Sequence, residues 1–100
     1  MKMDKVQGNR ASRGKRDNVQ FELSAEPGSQ VYVAGTFNNW SPTATPAAYH
    51  PESGHFRTSL HLPKGRYEYK FVMNGIWVSD PHCAEWAPNE FGSLNSVIHV

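Results

Sequence analysis

The sequence lacks the features that define several specialised protein classes. It has a single cysteine, Cys83, so an intrachain disulfide is impossible and nothing in the composition indicates export. It contains no apolar run long enough for a signal peptide or a membrane-spanning helix. Its formal net charge is only +1, which taken whole argues neither for a specific nucleic-acid partner nor for an anionic membrane, and we expect neither. We therefore expect a soluble, cytoplasmic protein.

The charges are unevenly distributed along the chain. Residues 1–17 carry six basic and two acidic side chains, whereas residues 18–100 carry four basic and seven acidic ones. The first segment has too few apolar residues to offset the entropy lost on ordering. We predict a disordered basic tail over 1–17 and one folded domain over 18–100. The alternative for the tail is weak electrostatic attachment to nucleic acid, anionic lipid or a partner.

Helical periodicity is also missing, and alternation with period two replaces it from Asn18 onward. The clearest run is 67–73, where Tyr69 and Phe71 share one face and Lys70 lies on the other. The dipeptide Asn74-Gly75 predicts a two-residue type I′ hairpin directly after this run. The same pattern predicts strands over 19–23, 31–34, 47–50, 56–62, 76–78 and 96–100, with long loops over 36–46 and 79–95. Six to seven short strands indicate an all-β, immunoglobulin-like antiparallel β-sandwich.

Catalytic machinery is poorly represented. The acids Asp80, Glu85 and Glu90 fall in one predicted loop, and two of them are a conceivable glycosidase pair. Glycoside hydrolysis also needs a cleft that excludes water and distorts the sugar, for which so small a domain has little material. We interpret these acids as solvated loop charges and expect no enzyme activity.

A metal site or a bound cofactor is equally poorly supported. His82 adjoins Cys83, but neighbouring side chains on an extended chain point in opposite directions and nothing completes a zinc set. His55 and His61 share a strand face but are too far apart for one ion. The glycines lack the spacing of a phosphate-binding loop. We expect no metal and no cofactor.

Two tryptophans lie outside the predicted core positions. Trp40 is in an Asn- and Pro-rich loop and Trp77 follows the hairpin turn. A flat exposed indole offers a stacking surface for the apolar face of a sugar ring. Hydrogen bonds to hydroxyls are available from Asn38, Asn39, Lys70, Asn74, Ser93 and Asn95. The alternative, that both tryptophans plug the ends of the sandwich, stays open on these grounds.

Several sequence blocks together resemble a known family. They are 31–40 (VYVAGTFNNW), 62–65 (LPKG), 67–71 (YEYKF), 74–77 (NGIW), 80–81 (DP) and 91–98 (FGSLNSVI). In this order they resemble the family-48 carbohydrate-binding modules, which include the glycogen-binding domain of AMP-activated protein kinase beta subunits and the N-terminal domains of isoamylase and branching enzymes. The resemblance covers about residues 19–100.

The resemblance implies roles for individual residues. Trp40 and Trp77 match the tryptophans that stack on glucose, and Lys70 matches a lysine that reaches sugar hydroxyls. Asn95 matches an asparagine that hydrogen-bonds glucose, and Ser93 falls where a threonine usually contributes.

Two positions depart from the family pattern. Phe91 falls where the kinase subunits have a leucine that reaches through or against the glucan, so an aromatic ring changes the shape of the site there. Trp86 is an additional tryptophan, for which a third sugar platform, an intramolecular plug and a partner contact all remain open.

The resemblance implies non-catalytic binding of α-glucan such as glycogen, starch or maltooligosaccharide. The competing hypothesis is a regulatory module that docks a kinase, a phosphatase or a glucan-metabolising enzyme. In that case the basic tail and Trp86 would be the contact elements.

Overall fold

A computed structural model describes residues 16–100. In this range the chain forms eight β-strands and a short 3-10 helix, Thr36–Asn38. The strands are β1 (Arg16–Ser24), β2 (Val31–Gly35), β3 (Ala48–His50), β4 (His55–Pro63), β5 (Arg66–Met73), β6 (Ile76–Val78), β7 (Glu85–Pro88) and β8 (Leu94–His99). No helix within these residues is both long enough and apolar enough to cross a membrane.

The strands form two antiparallel sheets. One has three strands in the order β1-β4-β3, and the other has the order β2-β5-β8-β7 with β6 also paired to β5. The long central strand β5 pairs with β2 through residues 69–73, with β6 through 71–73 and with β8 through 66–69. The predicted antiparallel β-sandwich is confirmed.

The core lies between the two sheets and follows the predicted alternation. Val19, Phe21 and Leu23 of β1 are buried, as are Tyr69 and Phe71 of β5. The rings of Phe21 and Tyr69 meet edge to face, with centroids 4.9 Å apart, a geometry that aromatic pairs favour. Because side chains alternate along a strand, residues 68, 70 and 72 of β5 lie on the opposite, outer face of the five-stranded sheet.

The predicted Asn74-Gly75 hairpin is present between β5 and β6. Both residues have positive φ, 53° and 82°, as a type I′ turn requires, and Met73 pairs directly with Ile76. The turn therefore folds β6 straight back on β5.

The predicted loop over 79–95 is wrong in part, because it contains the strand β7. This strand has four residues, includes Pro88 and exists through its pairing with β8 from Glu85↔Val97 to Pro88↔Leu94. So short a segment carries too little alternation to be recognised locally. The last strand also begins earlier than expected, at Leu94.

The predicted boundary between tail and domain falls inside β1. Arg16 and Asp17 pair with Pro63 and Leu62 of β4, so these two residues belong to the sheet. The remainder of the predicted tail, 1–15, lies outside the described residues.

Candidate functional site

A groove with a volume of about 750 Å³ runs over the outer face of the five-stranded sheet. All six residues singled out from the family resemblance line it, although they come from five separate parts of the chain. The lining residues are Thr36, Trp40, Glu68, Lys70, Trp77, Asn89, Glu90, Phe91, Ser93 and Asn95.

The two tryptophans lie side by side in this groove. Trp77 is on β6 opposite Val72, which places it on the same sheet face as Lys70, and it is 43% exposed. Its ring centroid is 6.5 Å from that of Trp40, and the ring planes are inclined by 42°. Neither residue belongs to the buried core, so the alternative that they plug the sandwich does not describe their position.

The loop that presents Trp40 has an unusual backbone. Asn39 and Trp40 have φ values of 57° and 58°, in the left-handed region that a bulky residue rarely adopts. The Trp40 N–H donates to the Gly35 carbonyl at 2.9 Å and closes the turn after the 3-10 helix. A Cβ on Gly35 would lie 2.6 Å from the Glu68 carbonyl oxygen, so only glycine allows this close approach to β5.

Asn38 stabilises this loop from inside rather than lining the groove. Its Oδ1 accepts from the Gly35 N–H at 3.0 Å, and its Nδ2 donates to the Val33 carbonyl at 3.0 Å and to Thr45 Oγ1 at 2.9 Å. Both amide hydrogens are therefore used within the protein. The predicted donation from Asn38 to a ligand is not available in this arrangement.

Of the other three asparagines proposed from the sequence as donors, Asn39 and Asn74 also lie outside the groove lining. Asn74 occupies the β5–β6 turn, where its Oδ1 accepts from the Gln30 N–H at 2.9 Å. Asn39 is exposed at the end of the 3-10 helix. Their roles are those of turn residues that tolerate positive φ.

Lys70 projects from the outer face of β5 and is only 9% exposed. Its Nζ donates to Ser93 Oγ at 2.9 Å, which joins β5 to the segment before β8. An ammonium group has three N–H donors, so two remain for a ligand.

Asn95 is 8% exposed and held on both sides of its amide. Its Nδ2 donates to Glu68 Oε1, and its Oδ1 accepts from Asn89 Nδ2, each at 2.9 Å. Glu68 Oε2 in turn accepts from Arg66 Nη1 at 2.7 Å. The hydrogen bond from Asn95, with that from Arg66 second, holds the pKa of Glu68 below its ordinary value. Glu68 is therefore a carboxylate that orients Asn95.

Sequence reasoning missed three of the lining residues, Thr36, Glu68 and Asn89, and it interpreted a fourth, Glu90, only as a loop charge. The sequence pattern could have identified Glu68, because alternation places it on the same face of β5 as Lys70. Nothing in the local sequence distinguishes Asn89 from the other polar residues around it.

Trp86 is not a third platform in this groove. It pairs with Ser96, which also pairs with Tyr69, so all three lie on the inner face of the sheet. Because β7 is at the edge of the five-stranded sheet, Trp86 remains 43% exposed there. Its neighbour on the same face, Leu94, is 48% exposed.

The three loop acids have separate surroundings. Asp80 is not a solvated charge, because it is 9% exposed and its Oδ2 accepts from the Tyr69 hydroxyl at 2.6 Å. Burial, with the hydrogen bond to Asp80 second, raises the pKa of Tyr69. Glu85 pairs with His99 at 2.9 Å, and Glu90 alone of the three lines the groove. Within 16–100, no group of three or more His, Cys, Asp or Glu side chains is placed to hold a metal ion.

Comparison with known proteins gives one family match and a set of relatives. The family described as "Glycogen recognition site of AMP-activated protein kinase" matches residues 18–100. The 5'-AMP-activated protein kinase subunit beta-2 of Mus musculus is 37% identical over 76 residues, which are 76% of this chain and 27% of that protein. Subunit beta-1 of Sus scrofa is 34% identical over 73 residues, 73% of this chain and 56% of that protein. The chain thus spans about a quarter of the mouse relative and just over half of the pig one.

Proposed function

Because this chain belongs to the family of glycogen recognition sites of AMP-activated protein kinase, we propose that its groove binds α-glucan without catalysing a reaction on it. The ligand class is glycogen, starch or maltooligosaccharide. The resemblance to family-48 carbohydrate-binding modules rests on blocks within the matched range 18–100.

The tryptophan pair carries the proposal. Two indole rings with centroids 6.5 Å apart and planes inclined by 42° form an angled apolar surface on the wall of the groove, which Phe91 also lines. The C–H face of a glucose ring can stack on each indole, and an angled pair suits a curved α-1,4 chain better than a flat β-linked one. Burial of this apolar surface supplies the main favourable free energy of binding.

The polar groups beside the tryptophans orient the sugar through hydrogen bonds. Lys70 retains two N–H donors, and Asn95 retains one amide hydrogen and one lone pair on Oδ1 after its bonds to Glu68 and Asn89. The Ser93 hydroxyl lies between Lys70 and Asn89. These groups complement sugar hydroxyls, which both donate and accept.

The carboxylates in the groove favour binding over hydrolysis. A glycosidase needs one carboxylic acid whose pKa is raised so that it can protonate the leaving oxygen. Glu68 has its pKa lowered instead, and its two oxygens accept from Asn95 and Arg66. The remaining acid, Glu90, is exposed. We therefore keep the proposal non-catalytic.

A titration tests this function directly. Stacking on a few sugar rings leaves little free energy after the cost of association, so we expect a dissociation constant of roughly micromolar to millimolar. Maltoheptaose should change the tryptophan fluorescence with saturation, and glycogen should co-sediment with the protein. Cellohexaose, whose β-linked chain is straight, is the matched control ligand. Equal binding of both sugars, or no saturable binding of maltoheptaose, would overturn the proposal.

A second candidate function is attachment to a larger assembly. The relatives are named as kinase subunits, and Trp86 and Leu94 expose apolar surface on the face of the sheet opposite to the groove. We propose a protein kinase as the partner, ahead of a phosphatase or a glucan-metabolising enzyme. Co-purification with a kinase should be lost in Trp86→Ser and kept in Trp77→Ala; the reverse result would assign the contact to the groove.

A further inference from the structure

The segment between β7 and β8, residues 89–93, closes one side of the groove and is organised by a single side chain. Asn89 Oδ1 accepts from the Phe91 N–H at 2.9 Å and from the Ser93 N–H at 3.1 Å. The Asn89 N–H also donates to the Ser93 carbonyl at 3.0 Å, and Gly92 has a φ of 80°. The side chain thus caps a tight turn whose tip is Phe91.

The other half of the same amide reaches across the groove floor. Asn89 Nδ2 donates to Ser93 Oγ at 2.8 Å and to Asn95 Oδ1 at 2.9 Å. A primary amide has two N–H donors and two oxygen lone pairs, so these four bonds use its full capacity. Asn89 therefore has nothing left to offer a ligand.

Phe91 depends on this turn for its position. It is 83% exposed, so packing against the domain contributes little to holding its ring in place. The backbone of 89–93 must supply the order that packing does not. A ring held in advance at the groove wall avoids the entropy cost of ordering it when a ligand binds.

Asn95 depends on Asn89 for its orientation. The donor from Asn89 requires the Asn95 oxygen on that side, which directs the Asn95 amide nitrogen to Glu68 Oε1. Reversal of the amide would place two N–H groups against each other and an oxygen against a carboxylate. The remaining hydrogen and lone pair of Asn95 consequently have one defined direction in the groove.

We propose that Asn89 is a positioning residue for glucan binding, which acts through Phe91, Ser93 and Asn95 without touching the sugar. This inference rests on the proposed function of the groove. It predicts that the arrangement is formed before the ligand arrives, and that removal of Asn89 weakens binding although every contacting side chain remains.

Two substitutions separate the two halves of the amide. Asn89→Ala removes all four bonds, and we expect maltoheptaose affinity to fall about tenfold. Asn89→Asp keeps the oxygen that accepts from the Phe91 and Ser93 amides but loses both donors, and places a carboxylate against Asn95 Oδ1. Its affinity should lie between those of the unmodified protein and Asn89→Ala, with the turn retained.

A double-mutant cycle with Phe91→Ala distinguishes positioning from general stabilisation. If Asn89 acts partly by holding Phe91, Asn89→Ala should lower the maltoheptaose affinity of the Phe91→Ala protein by clearly less than tenfold. Amide hydrogen exchange at Phe91 and Ser93 should accelerate in Asn89→Ala while exchange in the core strands stays unchanged. Asn74→Ala is the matched control, since it removes a turn amide that hydrogen-bonds outside the groove, and its affinity should match that of the unmodified protein.

The outcomes are distinguishable. If the unmodified protein does not bind maltoheptaose, the proposed function fails and this inference falls with it. If it binds and Asn89→Ala binds equally well, the inference alone is overturned. Equal losses in the presence and absence of Phe91 would overturn the role of Asn89 in positioning that ring. Should Asn89→Ala fail to fold, the affinity of Asn89→Asp decides the question, because this variant loses both donations of the amide, to Ser93 and to Asn95. An affinity equal to that of the unmodified protein would overturn the inference.

Discussion

The indole rings of Trp40 and Trp77 have centroids 6.5 Å apart, although 37 positions separate the two residues in the sequence. One follows a left-handed turn after β2 and the other follows the β5–β6 hairpin. The first turn has positive φ at Trp40, which costs free energy because a bulky residue rarely adopts it, whereas Asn74-Gly75 suits its hairpin. The apolar wall of the groove thus depends on two local backbone conformations. Such conformations persist where the surrounding structure holds them.

Replacement of either tryptophan should abolish most of the binding. We expect Trp40→Ala and Trp77→Ala each to weaken maltoheptaose binding at least about tenfold, because each removes a stacking surface worth more than about 1.4 kcal/mol. The fold should remain intact, since neither residue belongs to the core. Trp86→Ala, which removes an equally exposed indole from the inner face, is the control and should bind normally. Unfolding of either groove variant at low temperature would contradict the assignment.

Lys70 should contribute as a hydrogen-bond donor rather than as a charge. A neutral sugar offers no Coulombic attraction, so Lys70→Gln should reduce affinity several-fold, by less than the loss of either tryptophan. Titration at low and high ionic strength should give nearly equal constants. Lys64→Gln, at an exposed lysine paired with Asp17 outside the groove, is the matched control. A steep fall of affinity with salt would indicate an anionic ligand.

Tyr69→Phe should separate stability from binding. It removes the 2.6 Å hydrogen bond to Asp80 on the inner side of the sheet and leaves a buried carboxylate with one donor fewer. We expect a loss of about 1.5–3 kcal/mol in the free energy of unfolding and a thermal midpoint lower by roughly 4–8 °C per kcal/mol. Maltoheptaose affinity, measured well below the new midpoint, should be unchanged. A lowered affinity would mean that Asp80 influences the groove.

Glu68 should make binding sensitive to acid. Its pKa is lowered in the folded protein, so the carboxylate stabilises the fold above its ordinary value of 4.5, and that contribution is lost as the pH falls through the lower folded value. Affinity and thermal midpoint should therefore be level from about pH 8 to about pH 5 and fall below that. In Glu68→Gln, which can still accept from Asn95, the fall in affinity and in thermal midpoint at acid pH should be smaller. An unchanged fall would mean that another carboxylate causes it.

Removal of residues 1–15 should leave glucan affinity unaltered. Among the residues that the structure describes, those that line the groove run from Thr36 to Asn95. Removal of residues 1–17 should instead lower the thermal midpoint, because it deletes two paired residues of β1 and the ion pair between Asp17 and Lys64. Calorimetry and maltoheptaose titration of both truncated forms measure the two effects. A large loss of binding in the shorter deletion would show that this segment contributes to the site.

Local patterns in the sequence determined the parts of the fold that depend on neighbouring residues. Alternation along β5 assigned Tyr69 and Phe71 to the core and Lys70 to the outer face, because the pleat of a strand has a period of two. Asn74-Gly75 specified its hairpin through its own φ angles. The family blocks identified the six groove residues that the structure brings together in one lining.

The tertiary structure alone decided how polar side chains are partnered. The sequence indicates a solvated acid at Asp80, which is buried against Tyr69 in the structure. It indicates a ligand donor at Asn38, which instead holds its own loop. The sequence leaves three roles open for Trp86, and its pairing with Ser96 places it on the inner face, away from the groove. Nothing in the sequence indicated the four hydrogen bonds that the Asn89 side chain makes. Alternation and turn propensity are properties of adjacent residues, whereas the partner of an amide or a carboxylate is set by strands that meet only when the two sheets have formed.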